Sequence, residues 1–395
     1  MKQRYAKNGS FNSSWIIGIV IVLKPIYLFP SGSLQICDYF FAIAIIAWVI
    51  SNKGRIIIPK SFIKYFTALI LICIYQVVIN GIWSIVLQRN IMRVNLYYIY
   101  NFVVFASCLL IAYEVGFERL KKAVTDSCLI SVFISFIGSL LTSQSVRNSG
   151  LFNNPNQLGY HGLLIVSIIA VFSQERFDKK DIITIAISVW IIIISGSKAA
   201  IIGVAVLLFF HIFYANRNAG LKVAFKKALV LVVFFTLIYF LLFSELKIFT
   251  SNSTIAFTRK RLILMFNEGD SNLGSGRGYN RVFELGGNFL WGMGEGAYDR
   301  FESLKGLEIH SSFISLLVSY GIFGFLLYVI FFTRAIRFSG TPIKSVLFSS
   351  GVILYSISHN GVRNSLLWMF VAYLILEGCR NTPNSIIEDK LLHEQ

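Results

Sequence analysis

Apolar residues run along this chain in long blocks separated by short polar connections. A helix needs about 20 such residues to cross the hydrocarbon core of a bilayer, within a range of about 17–25. Blocks at 14–30, 33–50, 62–80, 95–114, 123–142, 157–173, 181–195, 198–215, 226–243, 309–333, 343–358 and 362–378 predict about twelve transmembrane helices. The blocks at 181–195 and 198–215 are parted only by Gly196 and its neighbours, and read either as two short helices or as one bent unit. The first block lacks a small-residue cleavage site and runs straight into the second, which argues against a removable signal peptide.

Composition supports this reading. The chain is 56% hydrophobic and 14% charged, against about 45–50% and about 25% in soluble domains. A disordered chain is excluded by the same figures. Five cysteines, none in a CxxC or Cys/His cluster, read as small packing residues and not as a disulfide framework. The formal charge of +17 would point to nucleic acid on a soluble protein. Here the basic residues cluster in alternate connections, around 53–64, 119–122, 176–180, 217–227 and 334–344, as cytoplasmic loops do. No nucleic-acid partner is therefore expected, and the lipid bilayer is. Lys24, near the outer end of the first block, reads as a snorkelling lysine.

The expected fold is thus an all-α polytopic membrane protein. Residues 1–243 would form helices one to nine, 244–308 a large outer loop, 309–378 helices ten to twelve, and 379–395 a tail; both termini would be cytoplasmic. The loop of about 65 residues breaks a rhythm of short connections; segments of that length are usually functional or disordered. It carries an apolar run at Leu262–Phe266. A stretch at Arg281–Trp291 follows, with Val282, Leu285, Phe289 and Leu290 at helical spacing. Short helices on or over the membrane surface are expected there.

Four clusters fall on the outer side. In Arg147-Asn-Ser-Gly-Leu-Phe-Asn-Asn-Pro-Asn-Gln-Leu-Gly159, Asn154 and Asn156 offer amides beside the fixed cation Arg147. The plainer reading is a polar turn with Asn156 as helix cap. Ser195-Gly-Ser-Lys198 puts a lysine at the membrane edge, facing an anion or merely anchoring. In the loop, Arg277 and Arg281 stand four apart, so a helix would place two guanidinium forks on one face, suited to a diphosphate. The denser run Arg259-Lys260-Arg261 reads as solvated or headgroup-facing. Gly292-Met-Gly-Glu-Gly296 is a glycine-rich turn with no Gly-Lys-Ser/Thr after it, hence no P-loop.

The last cluster is Glu308-Ile-His310 at the entry to the tenth block. A neutral imidazole there can serve as general base toward a sugar hydroxyl. His359, with Asn360 and Arg363, occupies the last outer turn, and His161 lies about a turn into a helix; both read more simply as structural. No Ser-His-Asp or His-Glu-x-x-His spacing and no Asp-x-Asp pair in the loop appears, so a reaction without metal or cofactor is expected. A paired-carboxylate scheme has no specific support.

Taken in order, Gly150-Leu-Phe-Asn-Asn-Pro-Asn-Gln-Leu-Gly159, Ser195-Gly-Ser-Lys198-Ala-Ala, Gly276-Arg277, Gly292-Met-Gly-Glu-Gly296 and His310-Ser-Ser-Phe-Ile-Ser-Leu-Leu-Val-Ser-Tyr-Gly321-Ile-Phe-Gly324 resemble the O-antigen polymerase and O-antigen ligase superfamily over about residues 147–330. The resemblance implies a GT-C-like membrane glycosyltransferase of the bacterial inner membrane. Its donor would be a glycan on undecaprenyl pyrophosphate, and its site would face the periplasm. It implies that His310 activates the acceptor hydroxyl and that Arg277 and Arg147 hold the pyrophosphate. Lys198 stands where the family usually has arginine, keeping the charge and losing the fork. Arg281, Asn154, Asn156, His359 and Arg363 are further expected substrate contacts.

Polymerisation of lipid-linked repeat units, with inversion at the anomeric carbon, is the preferred reading, and a chain-length regulator is a conceivable partner. Transfer to lipid A-core by a ligase is the alternative. A lipid-linked glycan transporter fits less well, because mid-span charges are few and the two halves look unrelated.

Overall fold

In a computed structural model, the structure describes residues 13–30, 33–142, 147–173, 177–215, 278–301, 308–338 and 342–380, with isolated positions between 216 and 277. The expected ninth span (226–243), the run 262–266, Arg277 and most of the charge run 259–261 lie outside the described residues.

The described residues form an all-α protein. Its helices are α1 (Ser14–Leu23), α2 (Ile36–Ser51), α3 (Lys60–Val86), α4 (Arg93–Val115), α5 (Phe117–Leu141), α6 (Pro155–Ser173), α7 (Lys179–Ser195), α8 (Lys198–Ala215), α9 (Ser312–Phe338), α10 (Pro342–Ser358) and α11 (Ser365–Arg380). The bent unit at 181–215 is two helices, separated where Gly196 adopts a left-handed conformation that ends α7. Five helices, α3, α4, α5, α6 and α9, are long and apolar enough to cross a membrane.

The bundle has a centre and a lipid-facing rim. α6 is buried at every position from Leu158 to Phe172, and α11 from Ser365 to Cys379. A helix enclosed by other helices can be apolar all round. α3 is peripheral and turns Ile70, Ile74, Val78, Ile82 and Ile85 outward, a stripe that lipid would cover. Where helices touch, small residues let backbones approach. A Cβ on Gly203 of α8 would lie 2.8 Å from the Gly351 carbonyl of α10, and one on Gly162 of α6 would lie 3.0 Å from Ser188 O of α7.

Two local readings are corrected. The first apolar block is helical only over Ser14–Leu23. Pro25 cannot extend the helical hydrogen-bond ladder, and the buried Gln35 side chain ties the following segment instead. Its Oε1 accepts from Leu28 N and Phe29 N at 3.1 Å, and its Nε2 donates to Phe29 O at 3.0 Å and Ser33 O at 3.1 Å. In the outer loop, residues Tyr279–Phe289 are 3-10 helix, interrupted where Gly286 leaves helical geometry. The interruption rotates the predicted apolar face apart. Leu285 packs with Phe301, Ile309 and Val318, whereas Phe289 and Leu290 remain exposed.

The loop docks on a break in α9. Gly321 adopts φ 63°, ψ −172° inside that helix, freeing carbonyls from the i→i−4 ladder. Met293 N donates to Val318 O at 2.9 Å and Gly294 N to Ser319 O at 2.8 Å, while Tyr75 Oη donates to Tyr320 O at 3.0 Å. Irregular backbone at membrane depth is tolerated where protein satisfies it in this way.

Candidate functional site

The connections α1–α2, α5–α6 and α10–α11, with the end of the outer loop, close around a crevice of about 380 Å³. Lys24, Asp38, Asn154, Asn156, His310 and Arg363 line it, with Gln157, Glu308, His359 and Asn360 among their neighbours. The structure therefore brings together five of the residues singled out in the sequence: His310, Asn154, Asn156, His359 and Arg363.

His310 is exposed at the point where the loop meets α9. Its Nδ1 lies 2.8 Å from the main-chain carbonyl of Glu308. A carbonyl oxygen only accepts, so Nδ1 carries the hydrogen and, in the neutral ring, Nε2 keeps its lone pair. This is the tautomer a base needs if it is to take a proton at Nε2.

Arg363 sits between two carboxylates. Its Nε is 3.0 Å from Glu295 Oε1, and its Nη2 pairs with Glu308 Oε1. Burial works against its charge, but Glu295 and Glu308 outweigh that and hold the guanidinium protonated well above its ordinary range. Glu308 also accepts from Asn360 Nδ2 at 2.8 Å. Glu295 is fully buried and accepts from Tyr98 Oη at 2.7 Å and Tyr320 Oη at 2.8 Å.

Asn154 and Asn156 have distinct tasks. Asn154 Oδ1 accepts from Asn156 N at 2.8 Å, so Asn154, not Asn156, caps the start of α6. Asn156 Oδ1 instead accepts from Arg147 Nη2 at 2.7 Å, and Arg147 Nε donates to Ser195 O at 3.1 Å. Arg147 thus stands one residue behind the crevice wall, tying it to the end of α7. Arg147→Lys keeps the charge and cannot reach both acceptors. A fall in the melting temperature of the purified protein, corresponding to about 1–3 kcal/mol, is expected; an unchanged melting curve would show these bonds to be dispensable.

His359 stacks on Tyr355 at 4.6 Å, and Tyr355 on Tyr160 at 4.1 Å. His161 is buried against Ser131 Oγ at 3.1 Å, away from the crevice lining.

Two further expected contacts, Arg281 and Lys198, lie elsewhere. Arg281 is fully buried under the loop, with its guanidinium over Phe301 (4.9 Å) and Tyr298 (5.4 Å); burial lowers its pKa. Its neighbour Arg300 lies over Trp83 and Phe301 and donates to Gly294 O at 2.8 Å; burial draws its pKa down to about 10 against the pull of Tyr298 and Asp299. Lys198 opens α8 directly after the Gly196 turn and is not among the lining residues. That turn packs on α6, where a Cβ on Gly159 would lie 2.7 Å from Ser195 Oγ. Arg277 is outside the described residues.

Lys24 carries a signal the sequence reading missed. It is nearly buried, bonded to Ser365 Oγ at 2.9 Å and 3.8 Å from Asp38 Oδ1. A lysine next to a proline near the end of the first apolar block gives no hint that an aspartate 14 residues on faces it.

An all-α bundle with five membrane-length helices and a polar crevice built from connections on one face is a multi-pass membrane protein. Residues 183–329 match the family described as O-antigen ligase, so the resemblance to the O-antigen polymerase and ligase superfamily holds over α7, α8, the outer loop and most of α9. The matched segment contains the Gly196 turn, Gly292–Gly296, His310 and the break at Gly321; Arg147, His359 and Arg363 lie beyond it. No curated protein matches the chain.

Proposed function

We propose that the protein is a membrane glycosyltransferase that moves a glycan from undecaprenyl pyrophosphate onto the non-reducing end of a lipid-linked repeat unit. The observation that carries this reading is His310, exposed in the crevice with Nδ1 engaged by a carbonyl. In the proposed step the acceptor hydroxyl oxygen attacks the anomeric carbon of the donor. Its proton passes to His310 Nε2. The carbon–oxygen bond to the pyrophosphate breaks with inversion, and the electron pair leaves with the lipid pyrophosphate. Developing negative charge in a water-poor site requires fixed cations. Arg277 and Arg147 are proposed for this role from the resemblance, Arg147 from behind the wall through Asn156, and Lys24 joins them as a cation of the crevice wall; Lys198, off the lining, keeps only the charge of the arginine it replaces. Asn154, Asn156, His359 and Asn360 would face sugar hydroxyls. The crevice would open to the periplasm of a bacterial inner membrane, opposite the basic connections.

The description of the matched family supports a second reading, in which the acceptor is lipid A-core and the protein is a ligase. Incubating the purified protein with lipid-linked repeat units alone separates the two. Lengthened lipid-linked chains are expected, with release of undecaprenyl pyrophosphate. Transfer seen only after lipid A-core is added would establish the ligase instead, and no pyrophosphate release with either acceptor would overturn both. In the same assay Arg277→Lys is expected to lower turnover at least about tenfold, because a bidentate contact is lost while the charge remains; full activity would remove Arg277 from the site.

A further inference from the structure

The glycine-rich turn Gly292–Gly296 has no place in the transfer chemistry above, yet it is among the most constrained pieces of backbone in the protein. Gly292, Gly294 and Gly296 all have positive φ (87°, 70° and 108°). The turn lies backbone against backbone on the broken α9, and a Cβ on Gly294 would fall 2.9 Å from Ile91 and 3.0 Å from Trp83. The charged side chain this tight turn drives inward is Glu295, while Met293 packs against the Leu285 cluster. It is fully buried, its amide donates to Asn80 Oδ1 at 2.8 Å, and Tyr98 and Tyr320 aim its carboxylate.

A buried carboxylate is expensive unless paired. Its partner is Arg363 at the crevice edge. Arg363 also binds the Glu308 side chain, and the main-chain carbonyl of Glu308 holds Nδ1 of His310. A continuous line of polar contacts therefore runs Glu295–Arg363–Glu308–His310, joining α3 and α4, the outer loop, the α10–α11 turn and the entrance of α9.

We propose that Glu295 is a positioning residue for the transfer base. The glycine-rich turn exists to insert this carboxylate, which fixes the Arg363 guanidinium; Arg363 fixes Glu308, and Glu308 sets the tautomer and orientation of His310. The proposal rests on the glycan-transfer reading only for its kinetic arm. Glu295 touches no substrate. Its effect falls on turnover and not on KM.

Glu295→Gln keeps the shape and still accepts from both tyrosines, but loses the charge that holds Arg363. In the transfer assay it should lower kcat about 10- to 100-fold, the range seen when a partner that orients a contacting group is removed, with KM unchanged. Acting through Arg363, it should add little to the loss in Arg363→Ala. Added guanidinium should restore turnover to Arg363→Ala and fail to restore it to Glu295→Gln/Arg363→Ala, a dependence that a purely structural glutamate would not produce. An arm free of activity uses phenylglyoxal: Arg363 should be labelled several-fold faster in Glu295→Gln than in the parent protein, as read by mass spectrometry. If either variant fails to fold, Tyr320→Phe removes one hydroxyl that aims Glu295 and should give a milder loss of the same kind, in kcat alone. Wild-type kcat and labelling in Glu295→Gln, multiplicative losses in the double variant, or guanidinium rescue in both backgrounds would overturn the proposal. An inactive parent protein with accelerated Arg363 labelling in Glu295→Gln would instead leave the positioning intact and refute the transfer reading.

Discussion

His310→Ala is expected to lower glycan transfer by about 10²–10⁴-fold, the usual contribution of a positioned general base. The protein should keep its fold, because the imidazole is exposed and, among the described residues, its hydrogen bond closes within its own turn, to Glu308 O. The measurement is initial rate of pyrophosphate release from lipid-linked repeat units, paired with a thermal melt in detergent. Loss of rate with an unchanged melt places the base at His310. A rate equal to that of the parent protein moves the base elsewhere, and a collapsed melt would mean that the imidazole holds structure.

The second large effect is on stability. Gly292→Ala would put a Cβ 2.5 Å from Ser319 O and Tyr320 N of α9, and nearer still to Gly321 N, at a position with φ 87°. Backbone atoms cannot rotate aside. A left-handed non-glycine residue costs about 1–2 kcal/mol, and overpacking about 1–3 kcal/mol, so a loss of about 3 kcal/mol is expected. The loop would lift, and the Val318 and Ser319 carbonyls would lose their donors. Thermal melting and limited proteolysis between 278 and 301 should both report it. Gly287→Ala is the control: no atom lies within 4 Å of a Cβ there, and its melt should match that of the parent. If Gly292→Ala also matches, the loop does not dock as described.

The fold class was legible because membrane helices are written in long apolar blocks that little else in a protein sequence imitates. The ends of those blocks were less so. The first helix stops at Leu23, since the Gln35 amide supplies the bonds that residues 28–33 would otherwise take from a helix. The apolar spacing of Arg281–Trp291 was real, but the left-handed Gly286 divides it. Polar turns at block ends pointed to His310, Asn154, Asn156, His359 and Arg363. The charge pairings did not show: Glu295 meets Arg363 across 68 positions of chain, and no local pattern encodes that. Likewise, spacing of four put Arg277 and Arg281 on one helical face, yet Tyr298 and Phe301 decide where Arg281 goes.

The interruption in α9 has a bearing on how large substrates reach the crevice. The peptide carbonyls of Val318 and Ser319 are completed by Met293 and Gly294, and leaving such groups bare in hydrocarbon costs several kcal/mol each. That segment of the outer loop is therefore fixed to α9 and is not a hinged flap. Widening the crevice for a large substrate would therefore have to come from the other connections that line it and not from this anchorage.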